Sequence, residues 1–172
     1  MKRFLLPLMM IGLFYSDSLF MEWFPEQAFD GKWVFVPRFF IVGLVLMTIF
    51  YDRATAIKYG LVFGFLFDLF YTGILGAYMF FLPFIVYVTS KLVKVFQNHL
   101  FIIAFVVLID IVLFEVIMYQ LNILVQRTDM LFTEFMNVRL WPTLVVNAVF
   151  YIFLSIPLRN VFIKMRRDIL ND

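Results

Sequence analysis

Between Lys58 and Lys91 lies YGLVFGFLFDLFYTGILGAYMFFLPFIVYVTS (Tyr59–Ser90), a stretch with a single charged side chain, Asp68. As one helix at about 1.5 Å per residue it would be roughly 48 Å long, against about 30 Å of bilayer hydrocarbon. It must fold back on itself. Tyr71-Thr72-Gly73-Ile74-Leu75-Gly76 supplies the only break, so two short helices, about 57–71 and 74–90, are expected to meet near one membrane face. Gly60, Gly64 and Asp68 follow at steps of four and share one stripe, two positions without side chains leading to a buried acid. A short apolar segment interrupted by glycine and carrying an ionisable group points to a site inside a membrane bundle.

The rest of the chain agrees. Of its 172 residues, 65% are hydrophobic and only 15% charged, whereas soluble domains are roughly half apolar. The expected fold is an all-α integral membrane protein, a single transmembrane domain over 1–172 with six helices at about 4–20, 35–51, 57–71, 74–90, 100–122 and 141–158. The 25 phenylalanines suit a lipid-facing surface, and the absence of cysteine excludes disulfides, thiolate metal sites and thiol nucleophiles. Phe4–Phe20, behind Lys2 and Arg3, has the start of a signal peptide without its small-residue cleavage site, because Glu22-Trp23-Phe24-Pro25 follows. Glu22–Arg38 reads as a loop containing Pro25, Glu26, Asp30 and Gly31, with Trp23 and Trp33 as interfacial anchors. Asp52-Arg53-Ala54-Thr55 reads as a tight turn and Lys91–His99 as a basic connection. In the loop Gln126–Arg139, Met130, Leu131, Phe132, Phe135 and Met136 suggest a short amphipathic helix lying in the interface. Trp141-Pro142 opens the last span and Pro157 closes it.

Charge sets the orientation. Six spans put Lys2, Arg3, Arg53, Lys58, Lys91, Lys94, Arg159, Lys164, Arg166 and Arg167 on one side, ten of the fourteen basic residues. Lys32, Arg38, Arg127 and Arg139 fall opposite. That bias predicts cytoplasmic N and C termini.

Asp68, Asp110 and Glu115 lie within apolar spans, where an ionised carboxylate costs about 2.5 to 3.5 kcal/mol even on the permissive insertion scale. They serve either a proton or cation relay or a polar ligand pocket, or else simply bond across helices and fix the bundle. Asp110 and Glu115 are about 140° apart round the helix and do not form a catalytic carboxylate pair. Glu115, Tyr119 and Asn122 share a stripe that is expected to meet Asn147 or Asp68. Asp17 reads as a solvated helix end. The single histidine, His99, sits in a loop beside Asn98, so no metal site, cofactor or nucleophilic system is expected. Nor is there a phosphate loop or a nucleic-acid module. The chain does not read as an enzyme. Lys164, Arg166 and Arg167 make a basic tail for lipid headgroups or a cytoplasmic partner.

Over nearly its whole length the sequence resembles the rod shape-determining protein MreD family, in particular its Bacillus-like branch. The resemblance is carried by MKRFLLP (Met1–Pro7), VPRFF (Val36–Phe40), YGLVFGFLFDLFYTGILGAYMF (Tyr59–Phe80), RLWPTLVVN (Arg139–Asn147) and PLR (Pro157–Arg159). It implies a multi-pass protein of the bacterial cytoplasmic membrane, non-enzymatic, in the elongasome that organises peptidoglycan synthesis and rod cell shape. It also implies a fold similar to the substrate-binding subunits of energy-coupling-factor vitamin transporters. The implied partners are MreC directly and, through it, MreB, RodA and a penicillin-binding transpeptidase.

On this reading the Gly60/Gly64 stripe and the hairpin around Gly73 and Gly76 form an outer-facing cleft for MreC. Asp68, Glu115 and Asn147 would hold its helices. Two rival readings are a vitamin or other small-solute binder and a transporter or enzyme of lipid-linked precursors. Span one, FLLPLMMIGLFYSDSLF, lacks the Ala-x3-Ala face that vitamin-binding subunits use for docking.

Overall fold

The computed structural model describes residues 4–23, 32–95 and 99–171. Within these the chain is a helical membrane bundle with no strand. Lys2, Arg3, the middle of the first loop (Pro25, Glu26, Asp30, Gly31) and Asn98 lie outside the described residues. The helices are α1 (Leu5–Trp23), α2 (Phe39–Phe50), α3 (Arg53–Phe67), α4 (Ala77–Val95), α5 (Leu100–Leu124), α6 (Phe132–Glu134) and α7 (Trp141–Asn171). π-helical turns extend α3 over Asp68–Thr72 and join α6 to α7 over Phe135–Leu140. Among the described residues five helical segments are long and apolar enough to cross a membrane: Leu5–Trp23, Arg53–Thr72, Ala77–Lys94, Leu100–Leu124 and Phe132–Asp168.

The exception is α2. Its 12 residues cover only about 18 Å. Pro37 disfavours helix in the residue before it, and 33–38 run without helix into Phe39. At membrane depth such backbone survives only where protein covers it, and Val36–Met47 form an unbroken buried run. Non-helical chain plus a short helix thus stand where one full helix is expected over 35–51.

Contacts at the two ends of the bundle sort the connections. At one end Arg159 lies over the Phe50 ring, the Tyr151 hydroxyl donates to the Leu100 carbonyl at 2.7 Å, and Asp52 caps α3 by accepting the Thr55 N–H at 2.7 Å. At the other end the hairpin tip meets the end of α1, where the Ser18 and Tyr71 hydroxyls bond, and meets Arg127, whose guanidinium donates to the Thr72 carbonyl.

Two expectations at the last span change. Pro157 does not close it: α7 runs on through Pro157 to Asn171. Phe162 and Met165 are buried beyond the proline, so packing holds the helix past the missing N–H. Lys164, Arg166 and Arg167 therefore stand exposed on a helix rather than on a free tail. The 130–136 region is likewise no separate surface helix. From Phe132 it runs helically into α7, with Phe135 buried and stacked on Tyr119 at 4.3 Å between centroids.

Candidate functional site

The turn between α3 and α4 uses both its glycines in the left-handed region, Gly73 at φ +61° and Gly76 at φ +99°. The reversal lays α3 on α4. A Cβ at Gly64 would sit 2.6 Å from both the Met79 Cα and the Tyr78 carbonyl oxygen, and one at Gly60 would sit 3.2 Å from the Pro83 nitrogen. The glycine stripe is thus covered by the chain's own α4, and it is not the outer cleft expected for MreC. Small residues are there because two backbones touch.

Asp68 closes the same hairpin. Its carboxylate accepts the N–H of Gly76 at 2.8 Å, of Tyr78 at 2.8 Å and of Met79 at 3.1 Å. These N–H groups open α4 and have no acceptor within that helix. A buried carboxylate at a helix N-terminus also meets the favourable end of the helix dipole. Asp68 therefore bonds to α4 and does not meet Glu115.

The polar centre lies next to this cap, around a residue read from sequence as a loop cation. Arg38 is buried. Its Nε and Nη2 each lie 2.6 Å from Glu115 Oε1, and its Nη1 donates to the Tyr78 hydroxyl at 2.5 Å. Arg139 Nε donates to Glu115 Oε2 at 3.0 Å. One carboxylate thus takes two guanidinium groups, and the Tyr78 and Phe114 rings lie 5.6 and 5.0 Å from the Arg38 guanidinium carbon. Charges so buried persist only when paired and bonded.

The backbone leading to Arg38 is satisfied in an alternating pattern. Val34 N–H donates to the Val138 carbonyl at 2.8 Å, Val36 N–H to Thr143 Oγ1 at 3.2 Å and Arg38 N–H to Asn147 Oδ1 at 2.8 Å. Asn147 Nδ2 returns a bond to the Val36 carbonyl at 3.0 Å. Successive N–H groups of an extended chain point to opposite sides, so every second one meets the same helix. Pro142 explains the first acceptor: it has no N–H for the Val138 carbonyl four residues back. Asn147 and Glu115 are not shown to meet directly; each bonds to Arg38.

Asp17 is corrected too. It is buried, and its carboxylate accepts the Phe39 and Phe40 N–H groups at 2.8 and 3.4 Å, capping α2 from α1. Asp110 stands apart, 2.6 Å from Thr89 Oγ1, with its second oxygen unbonded. His99 is exposed just before α5. The signal for Arg38 was its place: a lone cation between Pro37 and an apolar run, with Glu115 elsewhere needing a partner.

Above this centre a cleft of about 810 Å³ lies between α1, the extended segment and the α3–α4 hairpin. Arg38, Arg139, Tyr78 and Asp17 line it together with Tyr15, Leu19, Phe67 and Tyr71. Among the described residues no group of three or more His, Cys, Asp or Glu side chains is placed to hold a metal.

A family model described as rod shape-determining protein MreD matches residues 2–165. The chain belongs to the MreD family. It is 31% identical over 172 residues to the rod shape-determining protein MreD of Bacillus subtilis (strain 168), covering the whole of both chains. No solved structure matches. This MreD-family chain is thus a multi-pass membrane protein with a role in cell shape, and the matched residues include the hairpin, Arg38, Glu115 and Asn147.

Proposed function

We propose that this MreD-family chain is a non-enzymatic component of the elongasome in the bacterial cytoplasmic membrane. It holds MreC, and through MreC works with MreB, RodA and a penicillin-binding transpeptidase in organising peptidoglycan synthesis. The full-length similarity to a rod shape-determining protein carries this reading. The fold adds that among the described residues every buried acid except Asp110 is committed to fixing helix ends or to Arg38 and Arg139, which suits a rigid scaffold rather than a reaction centre.

With the glycine stripe closed off by α4, the docking surface has to be sought on exposed apolar residues. Leu69, Phe70 and Leu75 at the hairpin tip are all at least half exposed, and the tip meets the end of α1 through Tyr71 and Ser18. MreC is expected to co-purify with the full chain from membranes, several-fold less with Phe70→Ala combined with Leu75→Ala, at unchanged expression and melting temperature. Undiminished MreC recovery would move the surface elsewhere. Failure of the wild-type chain to restore rod shape to cells lacking their own MreD would reject the role itself.

A further inference from the structure

At the buried floor of the cleft, the carboxylate and amide acceptors are used up and donors are left over. Both Glu115 oxygens are taken by Arg38 and Arg139, both Asp17 oxygens by α2 N–H groups, and Asn147 Oδ1 by the Arg38 N–H. Arg139, by contrast, spends only Nε inside the protein among the described residues, its side chain is 32% exposed, and it lines the cleft. The Tyr78 hydroxyl accepts from Arg38, which leaves its own proton to be donated. It too borders the cleft. Buried donors seek acceptors, and a guanidinium's free edge matches a two-oxygen anion.

At the floor Arg38 and Arg139 face one carboxylate, Glu115. Counting Asp17 and Glu22, which also line the cleft, cations do not outnumber acids there, so the preference for an anion rests on the unused donors of Arg139 and Tyr78. Asp17 is bound to the positive end of α2, and Glu22 is exposed at the rim. The walls are aromatic and aliphatic, from Tyr15, Leu19, Phe67 and Tyr71. A volume of about 810 Å³ falls within the range of small-molecule sites, roughly 300 to 1,000 Å³.

We infer that this cleft binds an amphiphile with an anionic oxygen group, phosphate or carboxylate, its oxygens on Arg139 and the Tyr78 hydroxyl and its apolar body against the α1 and α3 side chains. Such a molecule comes either from the lipid phase or from solution, and the test separates the two. Full-length protein in neutral detergent is melted with phenyl phosphate, phenyltrimethylammonium or benzyl alcohol. In parallel it is melted in phosphatidylcholine nanodiscs with or without phosphatidic acid. Protection by phenyl phosphate supports the site with a soluble source; protection by phosphatidic acid alone supports it with a lipid source. Arg139→Gln is expected to weaken the protecting anion at least tenfold, the size of one lost charged hydrogen bond. Leu19→Trp, which fills the cleft without touching the charged centre, is expected to do the same and decides the matter if Arg139→Gln fails to fold. Equal protection by the cation, no protection by either anion, or full anion affinity in Leu19→Trp overturns the inference.

Discussion

At the residue scale the structure turns on Arg38. Its guanidinium is buried with Glu115 as its anion and Tyr78 as its neutral acceptor. Removing Glu115 leaves two guanidinium groups facing each other's charge, one fully inside. Glu115→Ala should therefore cost about 3–5 kcal/mol, read as a large fall in melting temperature in mild detergent. Arg139→Gln, which keeps the buried pair intact, should cost much less. A melting temperature for Glu115→Ala within a degree or two of wild type would contradict the ion-pair account. Asp52 offers a pH-dependent counterpart outside the membrane. Hydrogen bonds from Thr55 hold its carboxyl below the usual range, so its contribution is present above about pH 4, the unfolded value, and fades as pH falls through the lower folded one. Asp52→Ala should cost about 1 kcal/mol at pH 7, and the gap to wild type should narrow progressively in paired melts as pH falls below about 4. From sequence, Glu115 stood out as an acid in an apolar span and Asn147 as a residue its stripe could meet. Their common partner did not, because an arginine beside a proline at the end of a loop looks the same whether it faces water or the bundle.

At the element scale the α3–α4 hairpin shows what steps of four can and cannot reveal. The spacing of Gly60 and Gly64 required a close neighbour, and the break at Tyr71–Gly76 required a reversal. Neither said that the neighbour is α4 itself, although a hairpin with so short a turn makes that the nearest helix available. The glycines should rank by what a methyl group meets. Gly64→Ala drives a Cβ into α4 backbone at 2.6 Å and should destabilise by about 1–3 kcal/mol. Gly60→Ala, at 3.2 Å from Pro83, should cost less. Gly12→Ala, with nothing within 4 Å, should be neutral or stabilising by up to about 1 kcal/mol. Melting temperatures of the three variants in one detergent check the order, and a Gly64→Ala protein as stable as Gly12→Ala would refute it. The helix ends show a different limit. Pro157 was a reasonable stop signal, yet α7 passes it because burial of Phe162 and Met165 repays the lost bond.

At the scale of the whole molecule, basic residues gather at the end that holds Asp52 and the last turns of α7, and the charged centre and cleft lie at the other. If that bias orients the bundle, the cleft opens to the exterior. The chain has no cysteine, which makes the test direct. Leu75→Cys should react with an impermeant maleimide on intact cells, and Lys164→Cys only after permeabilisation. The reverse pattern would invert the protein. Composition and hydrophobic runs alone established a helical membrane protein and the reversal in its third apolar stretch, because burial in lipid demands long apolar helices whatever they pack against; the family resemblance came from particular motifs such as VPRFF and RLWPTLVVN. Which polar groups meet was decided only by tertiary structure. Arg38 reaches Glu115, Asp17 caps α2 and Asp68 caps α4 across separations that no local periodicity encodes, since each pairing depends on how the helices are set side by side.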